Sequence, residues 1–148
     1  MPTPPEPLWT VATNVLVYAT AIDAPASKQG RAQDLLERLF LSPQGCLAGQ
    51  VLSEYLSVVL RKKAMGYALA LETVSTWSQA ARVLDASALT YEQAWKLTAR
   101  YKYQVWDALI IAICAEHGVK TLYSEDAGSL KRPLGVQVVN PFSESTTR

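Results

Sequence analysis

Hydrophobic residues follow two patterns along the chain. Short apolar runs, typical of buried strands, occupy residues 8–11, 46–49, 83–84, 121–123 and 136–139. Apolar residues at helical spacing predict helices over residues 27–40 (with Ser27 as the cap), 50–63, 68–81, 91–103 and 106–116. Because strands alternate with helices, we predict an α/β fold: a single domain with a mainly parallel central sheet of short strands, flanked by helices.

Residues 13–18 have two interpretations when the sequence is taken alone. The run Val-Leu-Val-Tyr at residues 15–18 is β-branched and aromatic, which favours a strand. Thr13 and Asn14 directly precede it, and both are good N-cap residues, which favours a short helix. The residues by themselves leave both structures open.

Residues 106–116 form the most apolar segment of the chain. Positions 108–115 read Ala-Leu-Ile-Ile-Ala-Ile-Cys-Ala and leave no polar face, so we predict a helix buried nearly all round, with Gly118 as its C-cap. Asp107 lies at the start of this helix, where a carboxylate is costly to desolvate unless it is paired or metal-bound. The alternative role for Asp107 is to stabilise the helix dipole, worth about 0.3–1 kcal/mol.

Composition and charge limit the classes of protein that the chain can represent. Hydrophobic residues make up 49% and charged residues 18%, which indicates a compact protein rather than a disordered one. The net charge of +1 gives no global electrostatic case for nucleic-acid binding, so any basic surface must be local. The candidates for such a surface are Lys28, Arg31, Arg61, Lys62, Lys63, Arg100, Lys102, Lys131 and Arg132.

The cysteines and the chain ends bear on location. Cys46 and Cys114 lie in apolar runs and are predicted to be buried thiols, which together with the absence of an export signal favours a cytoplasmic protein. No apolar run approaches the roughly 20 residues that a membrane helix needs. We expect the domain to span residues 8–142, with an N-terminal tail at 1–7 and a C-terminal tail at 143–148.

Several acids follow predicted strands or open predicted helices. Glu54 lies early in the helix after residues 46–49, Asp107 opens the buried helix, and Asp126 follows the strand at 121–123. In a parallel α/β sheet these positions meet at the carboxyl ends of the strands, so we expect these three acids to converge. Taken singly, Glu54 is an exposed helix acid and Asp126 a turn former. Taken together, carboxylates without His or Cys favour Mg²⁺ or Mn²⁺ and phosphoryl chemistry.

Three other polar residues have simpler expected roles. Glu125, beside Asp126, is expected to point to solvent. Ser124 is either a turn hydroxyl or a contact to the water shell of a metal. His117 is expected to be a cap at a helix C-terminus rather than a catalytic base.

Five short segments follow one another in a characteristic order. They are Ala-Thr-Asn-Val-Leu-Val-Tyr-Ala at 12–19, Gln-Val-Leu-Ser-Glu-Tyr at 50–55, Trp-Asp-Ala-Leu-Ile-Ile at 106–111, Leu-Tyr-Ser-Glu-Asp at 122–126 and Val-Asn-Pro-Phe at 139–142. In this order and spacing they resemble the motifs of PIN domains, and in particular of VapC-like ribonuclease toxins. The resemblance covers nearly the whole chain, from about residue 9 to residue 142.

The resemblance implies a function and a set of site residues. It implies a metal-dependent endoribonuclease, the toxin of a type II toxin–antitoxin pair, in which Glu54, Asp107 and Asp126 are catalytic and hold Mg²⁺ or Mn²⁺. It also implies a homodimer, an RNA substrate and a cognate antitoxin that inserts a peptide into the active-site groove. In this family the segment matching residues 13–18 begins a helix, which we adopt over the strand.

Ala12 departs from the family pattern, which has an aspartate at this position that helps hold the metal. We therefore expect weak metal binding and little or no nuclease activity, although Thr13, Asn14 and Ser124 remain to support the site. The alternative function is a catalytically dead PIN-fold module that binds RNA or an antitoxin. The alanine is either a natural loss or a deliberate Asp→Ala substitution, and the intact remainder of the site favours the substitution.

Overall fold

The structure, a computed structural model, describes residues 6–130 and 132–143. These residues contain five strands and six α-helices. In chain order they are β1 (Leu8–Val11), α1 (Thr13–Thr20), α2 (Ala26–Leu41), β2 (Gly45–Ala48), α3 (Gly49–Arg61), α4 (Tyr67–Ala80), β3 (Arg82–Leu84), α5 (Ala88–Tyr101), α6 (Val105–His117), β4 (Val119–Tyr123) and β5 (Gln137–Val139). Two 3₁₀ turns, Glu125–Gly128 and Pro133–Gly135, lie between β4 and β5.

The strands form one parallel sheet in the order β3-β2-β1-β4-β5. β1 is the central strand, and its Thr10 is in register with Cys46 of β2 and Leu122 of β4. The chain runs from β1 through β2 to β3 at one edge and then crosses to β4 and β5, so the strand order reverses beside β1. This confirms the predicted α/β fold, and it places the expected ligand position at the carboxyl end of β1.

Helix α6 lies in the centre of the hydrophobic core, as its composition predicts. All of its residues from Ala108 to Cys114 are buried. Gly118 ends the helix with a φ of 75°, in the left-handed region that glycine adopts without steric cost. Cys46 and Cys114 are both buried, as expected, and burial raises the pKa of these thiols to about 11 and about 12.

The ambiguous segment at 13–18 is helical, as the resemblance implied, and α1 continues to Thr20. Val15 and Leu16 are fully buried, because the β-branched and aliphatic side chains of this segment pack into the core from a helix. The interpretation of Thr13 and Asn14 as N-caps is wrong. The N-cap position is Ala12, the single residue between β1 and α1, and no side chain caps the helix.

Several other helix boundaries differ from the prediction, by one to three residues. α2 begins at Ala26 after Pro25, so Ser27 lies inside the helix and is not its cap. α5 begins at Ala88 rather than at residue 91, because Ser87 and Thr90 form a capping box that satisfies two backbone N–H groups. α3 ends at Arg61 rather than at residue 63, where Lys63 has a φ of 55°.

The predicted tails lie mostly outside the described residues, which exclude 1–5 and 144–148. Within the described part of the chain, no helix has both the length and the apolar character needed to cross a membrane.

Candidate active-site cleft

A cleft of about 420 Å³ opens at the carboxyl end of β1, and all the acids proposed from the sequence line it. Ala12 directly follows β1, and Glu54 projects from the second turn of α3, which follows β2. Asp107 lies in the first turn of α6, and Asp126 in the 3₁₀ turn after β4. The expected convergence of Glu54, Asp107 and Asp126 beside Ala12 is therefore present in the fold.

Asp107 is the electrostatic centre of this cleft, because it interacts with the other two acids. Burial, and then the charge of Asp126, raise the pKa of the Asp107 carboxyl above its ordinary value. Burial also raises the pKa of the Glu54 carboxyl. Hydrogen bonds from Gln50 and Thr13 lower this pKa and offset part of the effect, whereas the charge of Asp107 raises it further. Like charges held in a half-buried cleft are destabilising unless a cation compensates them.

Gln50 fixes the position of Glu54, a role that the sequence reading missed. Its Nε2 donates to Glu54 Oε1 at 2.6 Å and to the Trp106 carbonyl oxygen at 2.9 Å, so one amide joins α3 to the start of α6. Both neighbours are acceptors, which determines the orientation of the amide. The available signal was the spacing of Gln50 and Glu54, four residues apart on one helix face.

Asn14 and Ser124 shape the turn that carries Asp126. Ser124 is buried, and its Oγ accepts from the backbone N–H of Asp126 at 3.1 Å and from Asn14 Nδ2 at 3.3 Å. Asn14 Oδ1 in turn accepts from the backbone N–H of Glu125 at 3.3 Å. Ser124 is therefore a turn hydroxyl, one of its two expected roles, and Asn14 positions the loop instead of capping a helix.

The expectation that Glu125 points to solvent is wrong. Its carboxylate accepts from Lys28 Nζ at 2.6 Å and from the Tyr18 hydroxyl at 2.8 Å. Burial opposes ionisation of Glu125, but these two hydrogen bonds outweigh it and lower the pKa of the carboxyl. The Lys28 ammonium also lies 5.0 Å from the centre of the Tyr18 ring. This contact ties α1 and α2 to the turn beside Asp126.

The potential metal ligands in the cleft suit a hard cation such as Mg²⁺ or Mn²⁺, because they are carboxylate oxygens and neither His nor Cys lines the cleft. His117 lies at the end of α6, where its ring Nε2 is 2.8 Å from the Asp85 carbonyl oxygen. Among the described residues, no group of three or more His, Cys, Asp or Glu side chains is positioned to hold a metal ion. The carboxylates therefore share one cleft without forming a complete ligand cluster.

Two of the candidate basic residues, Arg61 and Lys62, also line the cleft. The others that the structure places have different contacts. Lys28 pairs with Glu125, Arg31 Nη1 lies 3.3 Å from the Ser143 carbonyl oxygen, and Arg100 lies over the Tyr101 ring. Lys131 falls outside the described residues. The local positive charge at the cleft therefore comes from the end of α3.

Comparison with solved structures gives several folds similar to this one. VapC20 of Mycobacterium tuberculosis, a Sarcin-Ricin loop cleaving toxin, has a TM-score of 0.64 at 22% identity, over 85% of this chain and 92% of that one. A toxin–antitoxin complex from Klebsiella pneumoniae has a TM-score of 0.66 at 20% identity, over 89% and 96%. FitAcB from Neisseria gonorrhoeae has a TM-score of 0.64 at 18% identity, over 91% and 99%.

The family comparison rests on sequence alone. No curated protein gives a significant match to the chain. The family model of the PIN domain matches residues 11–133, which include Glu54, Asp107 and Asp126. The resemblance inferred from the five motifs is therefore confirmed: this chain belongs to the PIN domain family.

Proposed function

We propose that this chain is a metal-dependent endoribonuclease of the toxin class, with its activity impaired by Ala12. The observation that carries the proposal is the convergence of Glu54, Asp107 and Asp126 in one cleft at the carboxyl end of β1. These acids come from three separate elements, so simple helix capping or turn formation does not account for their meeting in one place.

In this proposal Glu54, Asp107 and Asp126 are the catalytic carboxylates and hold Mg²⁺ or Mn²⁺. A divalent ion held there would supply activation of water and compensation of the charge on the phosphate of RNA. Thr13 and Gln50 orient Glu54 by hydrogen bonding to its carboxylate. Arg61 and Lys62, which line the same cleft, supply positive charge for the RNA backbone.

The proposed impairment rests on what Ala12 contributes to the cleft. Its side chain is a methyl group at the carboxyl end of β1, and its backbone N–H donates to the Tyr123 carbonyl at 2.9 Å, which holds the position beside β4. A carboxylate at residue 12 would enter the same cleft as the three remaining acids.

The proposed partner is an antitoxin, because one of the similar folds comes from a toxin–antitoxin complex of Klebsiella pneumoniae. We further propose an RNA substrate, a homodimer and a cytoplasmic location. VapC20 cleaves the Sarcin-Ricin loop. For this chain the proposal extends only to RNA as the class of substrate.

The experiment that tests the function restores the acid at position 12. Ala12→Asp is expected to cleave single-stranded RNA with Mg²⁺ or Mn²⁺, while the parent, Ala12→Asn and the double variant Ala12→Asp with Asp107→Asn do not. Mn²⁺ should also raise the Tm of Ala12→Asp more than that of Ala12→Asn, since a ligand that binds only the folded state stabilises it.

Two results would contradict parts of this proposal. If Ala12→Asp neither cleaves RNA nor gains stability from Mn²⁺, the chain is instead a PIN-fold module that binds RNA or an antitoxin without catalysis. If the parent cleaves RNA as fast as Ala12→Asp, the impairment by Ala12 is wrong, while the nuclease assignment stands.

A further inference from the structure

A second groove, of about 980 Å³, adjoins the carboxylate cleft and shares part of its wall. Glu54, Val58, Arg61 and Trp106 line both spaces, so the groove continues the cleft past Glu54. Its volume lies at the upper end of the roughly 300–1,000 Å³ that is typical of ligand sites. An RNA strand whose phosphate lies in the cleft therefore has room to place a neighbouring nucleotide group in the groove.

Trp106 forms the boundary between the two spaces. It directly precedes Asp107 in α6, and it is 58% exposed although α6 buries all of its residues from Ala108 to Cys114. Its carbonyl oxygen is held by Gln50 Nε2, the group that also holds Glu54. The backbone that carries the indole is thus fixed relative to the acids. Trp106 lines the groove and is more than half exposed, so its side chain is available to an occupant of the groove.

The remaining walls combine aromatic and charged groups. Tyr91, on α5, is 43% exposed and lines the groove, as does Asp85 after β3. Arg61 lies where the groove and the cleft meet. An exposed indole and phenol beside an arginine are suited to an unpaired nucleobase, because every base presents a π-face for stacking and its phosphate is anionic.

We propose that this groove binds an unpaired nucleobase of the RNA strand whose phosphate lies in the carboxylate cleft, with the base stacked on Trp106. The proposal rests on the proposed ribonuclease function and adds a base-binding subsite to it. Arg61 neutralises the phosphate at the junction, and Tyr91 faces the base from α5. Trp106 is then a specificity-determining residue for single-stranded substrate, and the backbone contact from Gln50 holds it in place.

The continuity of the two spaces favours RNA over a peptide or a second copy of the chain. The groove shares Glu54 and Arg61 with the cleft, so whatever occupies it lies against the same charges as the substrate phosphate. The charged cleft is followed by a groove with aromatic side chains. An RNA strand, in which phosphates alternate with bases, matches this arrangement.

Binding is tested on the chain as it stands, because Ala12 is expected to leave the RNA uncleaved during the measurement. Fluorescence anisotropy in Mg²⁺ buffer compares a labelled single-stranded RNA oligonucleotide with one of the same length made of abasic riboses. The variants are Trp106→Ala, Trp106→Phe and the matched control Trp95→Ala. Trp95 is 60% exposed on α5 and lies outside the groove lining.

Trp106→Ala is expected to weaken binding of the RNA by about 5-fold to 150-fold, the range for loss of one stacked base. Trp106→Phe should recover part of this affinity and Trp95→Ala should match the parent. All four proteins should bind the abasic strand equally, because it offers phosphates without bases. Circular dichroism and the Tm of each variant establish that the fold is retained.

The failures of the two proposals are distinguishable. The base subsite is wrong, and the nuclease assignment remains, if the parent binds RNA and Trp106→Ala binds it as tightly as Trp95→Ala does. The same conclusion follows if Trp106→Ala weakens binding of the abasic strand as much as binding of the RNA. If Trp106→Ala instead changes the sedimentation coefficient of the protein, the groove is an interface between copies. If the parent binds no RNA and Ala12→Asp cleaves none, both proposals fail.

Discussion

Replacing Gln50 by alanine tests whether its amide stabilises the start of α6 against α3. The variant loses a charge-assisted hydrogen bond to Glu54, worth about 1.5–3 kcal/mol, and a neutral one to the Trp106 carbonyl, worth about 0.5–1.5 kcal/mol. It also removes Gln50 Oε1, a buried oxygen without a partner among the described residues, which returns about 1–3 kcal/mol. We therefore expect a net loss of about 1–2 kcal/mol.

The assay is urea and thermal unfolding followed by circular dichroism. For a chain of this length a loss of that size lowers the Tm by roughly 3–6 °C. Gln79→Ala is the matched control, because Gln79 is exposed on the helix α4 and makes no side-chain hydrogen bond within the described residues. Its free energy of unfolding should stay within about 0.5 kcal/mol of the parent.

A double-mutant cycle isolates the contact between Gln50 and Glu54. Gln50→Ala and Glu54→Ala are measured singly and together, and contacting residues are expected to show a coupling of about 0.5–3 kcal/mol. The reasoning is refuted if Gln50→Ala unfolds at the same denaturant concentration as Gln79→Ala, or if the coupling with Glu54 is absent.

Two further predictions concern the charges around the cleft. Because burial and Asp126 raise the pKa of Asp107, the parent loses stability as the pH rises from the ordinary value of 3.8 through the raised folded pKa. Asp107→Asn should therefore unfold at higher urea than the parent at pH 7, and this gain should shrink toward pH 4; an equal difference at both pH values would contradict the electrostatic cause. Lys28→Met removes the partner of Glu125, so backbone amides at Asp126 should exchange hydrogen several-fold faster. Lys96→Met, which breaks an exposed pair on α5, should leave that exchange unchanged.

The sequence predicted the layers of the fold because burial leaves a strong local signal. Strands of a parallel sheet are covered on both faces and read as short apolar runs, and α6 reads as apolar all round because it is buried all round. The positions of Glu54 and Asp126, which come after parallel strands, and of Asp107, which opens a helix, followed from the same fold class, because these positions lie at the carboxyl ends of the strands.

The two errors at the candidate site came from contacts between residues distant in the chain. Glu125 was assigned to solvent by local loop geometry, whereas Lys28, 97 residues away, accounts for its position. Asn14 has the composition of a helix cap, yet it bonds to the turn at Ser124, which is 110 residues later. Local propensity indicates which secondary structure a segment favours. It contains no information about a partner residue that comes near only when the chain is packed.

For the candidate site, the amino-acid sequence alone determined which chemistry is available: carboxylates in the order of the PIN motifs, and an alanine at residue 12 where that pattern has an acid. The tertiary structure decided how those groups are held. It brought Asp107 close enough to Glu54 and Asp126 for their charges to interact, gave Glu54 a hydrogen-bond donor in Gln50, and continued the cleft past Trp106. The sequence specifies the type of every side chain. The distances between side chains of different elements are set only by the order of the strands and the packing of the helices.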